Sequence, residues 1–179
     1  IYCNGANLMI DRDAFLSTKD PLKMNITSGD DTFLLHKVKR LYPKETCVLK
    51  SAGAIVTTSP AANLNEFVNQ RIRWISKGRH YADPYIITST SVVVLSNMIV
   101  LVWMITAFVN ASILSILPLA CKMIIDWIFM IPVLSFFNKK KLHCFIPVLS
   151  IFYPFYVVFF TIAGLFGRFT WKGRRYRSI

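Results

Sequence analysis

Two adjacent carboxylates, Asp30 and Asp31, and a cationic, aromatic run from Gln70 to Trp74 are the residues of this chain best suited to chemistry. The acidic pair follows Ser28-Gly29 and opens a helical pattern. A carboxylate at a helix start is favoured by the helix dipole and serves most simply as a cap. The same group can act as a general base if an acceptor hydroxyl comes within hydrogen-bond reach. The second run, Gln70-Arg71-Ile72-Arg73-Trp74, pairs guanidinium groups with an indole. Guanidinium forks hold phosphate through directional, charge-assisted bonds. An indole offers a flat apolar face to a sugar ring and keeps an N–H donor. The bland alternative is an amphipathic helix resting on a membrane interface. Metal chemistry has less support. His36, His80 and His143 show no ligand spacing, and Cys3, Cys47, Cys121 and Cys144 form no C-x-x-C pair, so no zinc site or disulfide framework is implied.

The elements that must position these groups follow from periodicity. Phe33, Leu34, Val38 and Leu41 recur at helical spacing and predict a helix from Asp30 to Leu41, stopped by Pro43. Thr46–Lys50 and Ala54–Thr58 read as short β-strands. Asn63 and Glu66 resemble a capping box and start a second helix that runs to about Tyr81. Its apolar face is Leu64, Phe67, Val68 and Ile75, while Gln70, Arg73, Trp74 and Lys77 share one arc of about 100°. Ahead of these, Tyr2–Ile10 is a loop leading into a strand, with Asn4-Gly5-Ala6-Asn7 at its centre. Asp11–Leu16 is a short turn or helix, and Ser17–Thr27 is a loop.

Composition divides the chain near Asp83-Pro84. Residues 1–85 have the mixed character of soluble protein, whereas 86–167 are almost uncharged and rich in Ile, Leu, Val and Phe. That second region supplies three apolar stretches, about 86–110, 112–137 and 144–167, each long enough to cross a hydrocarbon core. Lys122 and Asp126 interrupt the second at i, i+4 spacing and can neutralise one another. Three crossings would carry Lys139-Lys140-Lys141 and the basic tail 168–179 to opposite sides, against the positive-inside rule. A last stretch broken by Pro147 and Pro154 that dips in and returns resolves the conflict. The formal charge of +12 invites a nucleic-acid reading, but the excess lies largely beside apolar segments, where cations set topology and touch anionic lipid. No nucleic-acid partner is therefore expected.

Four motifs, in order, resemble those of membrane-embedded family 2 glycosyltransferases. That family includes cellulose, chitin and hyaluronan synthases and ceramide glucosyltransferase-like enzymes. Cys3-Asn4-Gly5-Ala6-Asn7 is similar to its G-x-N acceptor loop, with Gly5 and Asn7 as candidate acceptor residues. Gly29-Asp30-Asp31 is similar to its acidic motif, which implies Asp31 as general base beside Asp30. Gln70-Arg71-Ile72-Arg73-Trp74 is similar to Q-x-x-R-W on an interfacial helix, which implies diphosphate and acceptor binding by Gln70, Arg71, Arg73 and Trp74. Thr170-Trp171-Lys172-Gly173-Arg174 is similar to the W-[RK]-G-R tail of lipid-linked members, making Trp171 and Arg174 candidate lipid or acceptor contacts.

The resemblance implies an α/β GT-A fragment, a partial Rossmann-like catalytic domain, followed by an all-α transmembrane region of two to three helices. It implies a nucleotide-sugar donor, a polysaccharide or lipid acceptor, surrounding membrane lipids, and catalysis on the cytoplasmic side of a bacterial inner membrane. A divalent metal, Mg2+ or Mn2+, is expected from the family, with its D-x-D ligands not in this chain. The sequence opens abruptly at Ile1 and reads as the carboxy-terminal part of a longer enzyme, inactive alone. The competing reading is a non-catalytic membrane transport or assembly subunit with a small cytoplasmic cap.

Overall fold

A computed structural model describes residues 5–20, 30–110 and 116–177. Cys3, Asn4, most of the 17–27 loop, Ser28, Gly29 and the start of the second apolar stretch lie outside them. The protein is mostly helical. The helices are α1 (Arg12–Ser17), α2 (Asp30–Leu41), α3 (Leu64–Ser76), α4 (Pro84–Asn110), α5 (Leu117–Phe136) and α6 (Ile146–Phe166). An antiparallel pair, β1 (Arg168–Trp171) and β2 (Arg174–Arg177), follows α6.

Local chemistry explains the helix starts. Asp11 caps α1 by accepting from the amides of Asp13 and Ala14. Asn63 caps α3 by accepting from the Glu66 amide at 2.8 Å, and Glu66 reaches back to the Ala62 amide. This is the expected reciprocal cap, displaced by one residue on the return bond. The regular part of α3 stops at Ser76 and tightens into a 3-10 turn, Lys77–His80, where the expected helix continued. Asp83 opens α4: its carboxylate accepts from the Tyr85 amide at 3.0 Å and pairs with Lys39 of α2 at 3.2 Å, with Pro84 at the first helical position.

Three expectations need correction. The strands at 46–50 and 54–58 do not form, and neither does the one expected before Ile10. A strand needs a neighbour for its backbone donors and acceptors, and among the described residues these segments have none. They run irregularly around a 3-10 turn, Ala52–Ala54, with Val48, Leu49 and Val56 exposed. Accordingly the described residues contain no parallel sheet of the kind a Rossmann-like domain requires. On α2, Phe33, Leu34 and Leu35 are buried but Leu41 is exposed, so the buried face is shorter than the periodicity implied. Finally, α6 is one continuous helix rather than a broken one. Pro147 sits in its first turn, where no donor is needed. Pro154 removes one backbone bond, yet its ring is fully buried within the helix assembly.

Among the described residues, three helices are long and apolar enough to cross a membrane. The Lys122–Asp126 ion pair lies on α5 as the spacing predicted, and Ser150 of α6 donates to the same Asp126 oxygen at 2.8 Å. Lys122 also sits 5.3 Å from the Tyr153 ring centre. A charge pair in an apolar region is tolerated when the remaining lone pairs are engaged.

Helix α6 is the hub: it packs on α3, α4 and α5. It meets α3 tightly at Gly164, where an added Cβ would collide with Ile75 Cγ2. Ile75 is β-branched and stiff, so it cannot step aside. Gly164→Ala should therefore destabilise the protein by about 1–3 kcal/mol, read as a lower midpoint of thermal unfolding in detergent. Trimming Ile75 to Ala in the same chain should recover much of that loss, and no recovery would contradict the contact.

A second expectation concerns pH. Desolvation pushes the Asp83 carboxyl upward, but bonds from Lys39 and the Tyr85 amide outweigh it and hold the group below its ordinary 3.8. The folded value is depressed, so this stabilisation is present above pH 3.8 and is lost as pH falls through the folded value. Acid should accelerate hydrogen exchange at the start of α4, and Asp83→Asn should remove that pH dependence.

Candidate functional site

The Gly5–Asn7 turn meets the start of α2 at Asp31, and Arg73 of α3 lies within reach of the Asp31 charge. One carboxylate oxygen, Oδ2, accepts from the Gly5 amide at 2.8 Å. The other, Oδ1, accepts from the Thr32 amide at 2.7 Å, with the Thr32 hydroxyl at 3.4 Å. Thr32 is buried, which fixes the first turn of α2 and with it the carboxylate. The Gly5–Asn7 turn is held from its other end, where the Asn7 side-chain amide donates to the Ala54 carbonyl. A methyl group at Gly5 would rest 3.6 Å from Asp31 Cβ, an ordinary contact. Its backbone N–H, rather than missing bulk, is what links this turn to the acid. Asp30 begins α2 directly before the base candidate.

Arg73 of α3 shares the electrostatic field of Asp31. Burial draws the guanidinium below its ordinary value and the Asp31 charge draws it back up. Its guanidinium carbon lies 5.3 Å from the Trp171 ring centre. Trp171 reaches this position because the carboxy-terminal hairpin lies on α3. Ile72, Phe160 and Phe169 form a buried cluster, with Phe67, Val68, Ile75, Trp171 and Tyr176 packed around it. The Thr170 amide donates to the Asn69 side-chain oxygen at 2.7 Å. Arg174 stands opposite Trp171 on the ladder and is exposed.

The remaining members of the run are arranged differently. Arg71 lies 4.8 Å from both the Phe67 and Trp74 ring centres, and its Nε is buried with no hydrogen-bond partner among the described residues. It belongs to an aromatic stack rather than to the Asp31 cluster. Trp74 remains exposed, consistent with a surface for a ring or for lipid. Gln70 is half-buried on the same helix. Gly5 thus meets Asp31 directly, Arg73 feels the Asp31 charge and stands beside Trp171, and Arg71 is set apart.

The hairpin is the part that reading the tail as a basic segment missed. Its signal was in the sequence. Phe169, Trp171 and Tyr176 alternate with polar residues around Lys172-Gly173, and both turn residues take positive φ, 48° and 76°. Asn69 was missed as well, since an Asn within a helix carries no sign of its distant partner. Among the described residues no group of three His, Cys, Asp or Glu side chains converges to hold a metal ion.

The Asn69–Thr170 bond yields a direct expectation. Asn69→Ala should loosen the hairpin by about 1 kcal/mol, seen as faster hydrogen exchange at the Thr170 amide with the Gly5 amide unchanged. Equal exchange in the two proteins would place the hairpin elsewhere. No protein family, curated protein or solved structure matches the chain.

Proposed function

We propose that this chain forms the acceptor and leaving-group side of an inverting, membrane-bound glycosyltransferase. The observation that carries this reading is the convergence of Gly5, Asp31 and Arg73: an amide-anchored carboxylate in the field of a guanidinium, beside helices apolar enough to enter a membrane. In this reading residues 1–85 belong to a GT-A domain, residues 86–167 to the membrane region, and 168–179 to a cytoplasmic tail.

The chemistry follows from the groups. Asp31 accepts the proton of an acceptor hydroxyl. The freed oxygen attacks the anomeric carbon of a nucleotide-sugar, the bond from that carbon to the diphosphate breaks, and the anomeric configuration inverts. Negative charge collects on the departing diphosphate, where Arg73 lowers its energy. The Gly5 amide holds Asp31 in place while its remaining lone pairs face the acceptor. Gln70, Trp74, Trp171 and Arg174 line the route by which a polysaccharide or lipid acceptor reaches the site from the membrane.

The test is transfer of labelled sugar from nucleotide-sugar donors by the full-length protein in native membranes. Asp31→Asn should lower turnover about 10²–10⁴-fold, the usual contribution of a positioned base, with membrane insertion intact. Arg73→Lys keeps the charge but not the fork and should lower turnover less. Undiminished transfer by Asp31→Asn would rule out the base, and absence of transfer from every donor in the unaltered protein would favour a transport or assembly role.

A further inference from the structure

The carboxy-terminal hairpin sorts its side chains by face. Ladder partners share a face and successive residues alternate. Phe169 pairs with Tyr176, and Trp171 with Arg174. Phe169, Trp171 and Tyr176 turn toward α3. The opposite face carries Arg168 across from Arg177 and Thr170 across from Arg175. Lys172 projects at the turn, and all four cations are exposed.

This arrangement is uncomfortable by itself. Like charges directly opposite one another on a ladder repel. Among the described residues the ion pairs are Lys37–Asp20, Lys39–Asp83 and Lys122–Asp126, and none involves the hairpin. Nor does the sequence contain any Asp or Glu after Asp126 that could answer these charges. Only Gly167 separates the apolar helix α6 from β1, so the cations stand at the end of a candidate membrane span. Phe166, the last residue of that span, is 71% exposed.

We propose that the outer face of the hairpin, Arg168, Lys172, Arg175 and Arg177, is a binding surface for the headgroup phosphates of anionic phospholipids. The aromatic face holds the hairpin on α3, the phosphates relieve the repulsion between Arg168 and Arg177, and the leaflet thereby secures the strand that carries Trp171. The assignment is independent of glycosyl transfer, since it rests on the ladder register and on charge. Every cation close to an anionic leaflet strengthens attachment about fivefold.

The experiment is hydrogen exchange of the β1 and β2 amides in the full chain, reconstituted in nanodiscs of phosphatidylcholine alone or mixed with phosphatidylglycerol. Exchange should slow several-fold when phosphatidylglycerol is present, and high salt should abolish the difference. A chain carrying Arg168→Gln, Arg175→Gln and Arg177→Gln should lose the difference, while exchange within α3 stays as it was. If that variant fails to fold, seen as altered α3 exchange, the salt titration of the unaltered chain decides alone. Equal exchange in both lipids, or a phosphatidylglycerol effect that survives salt, overturns the proposal. So does equal protection by a single-stranded oligonucleotide in phosphatidylcholine discs, which would make the face a nucleic-acid surface.

Discussion

Close approach of α3 and α6 is the constraint on which the rest of the structure depends. Where helices meet at an apolar boundary, association comes from packing and small residues rather than from expulsion of water alone. Gly164 supplies the missing bulk, and Ile75 fills it. Around that point Phe67 meets Phe160 edge-on and Tyr156 packs on Phe160 at 4.7 Å between ring centres. Ile72 and Phe160 are thereby shielded, and each buried apolar side chain contributes roughly 1.5–3 kcal/mol. Farther along, Arg79 reaches the Leu165 carbonyl at the end of α6, tying the turn after α3 to the same helix.

Fixing α3 on α6 has consequences in two directions. Toward the amino-terminal part, it fixes the helix that carries Arg73, whose guanidinium feels the Asp31 charge. Toward the tail, it creates the surface on which Phe169 is buried and Asn69 captures the Thr170 amide. Arg73 is consequently bounded by an acid on one element and an indole on another, far apart in sequence. Desolvation of its guanidinium strengthens the field it can exert on a developing anion. Proposed catalysis and observed packing thus draw on the same helix.

Much of this was legible in the residues. The cap at Asn63, the helix bounded by Asp30 and Leu41 and the Lys122–Asp126 pair all follow from local rules, and they are found where those rules put them. What failed depends on long-range pairing. Thr46–Lys50 and Ala54–Thr58 have strand composition, but composition cannot supply a neighbouring strand. Prolines at 147 and 154 suggested a break, yet one lies in the first turn and the other is absorbed by packing. The hydrogen bond from the Gly5 amide to Asp31 joins two segments that no local rule would pair. The capture of the hairpin by Asn69 was not legible at all, because an asparagine within a helix is ordinarily a surface residue.

The central claim is that α3 carries the carboxy-terminal hairpin against the arginine of the candidate site. Oxidative cross-linking in native membranes tests it most directly. In a chain whose own cysteines are replaced by serine, Asn69→Cys places a thiol beside the Thr170 amide, and Phe169→Cys places another on the hairpin face that packs against α3. Disulfides close between side chains that face one another at short range. Rapid, near-complete cross-linking of that pair, with none between Asn69→Cys and Arg175→Cys on the outward face, is the predicted result. Absence of the first cross-link, or equal yield from both pairs, would contradict the account.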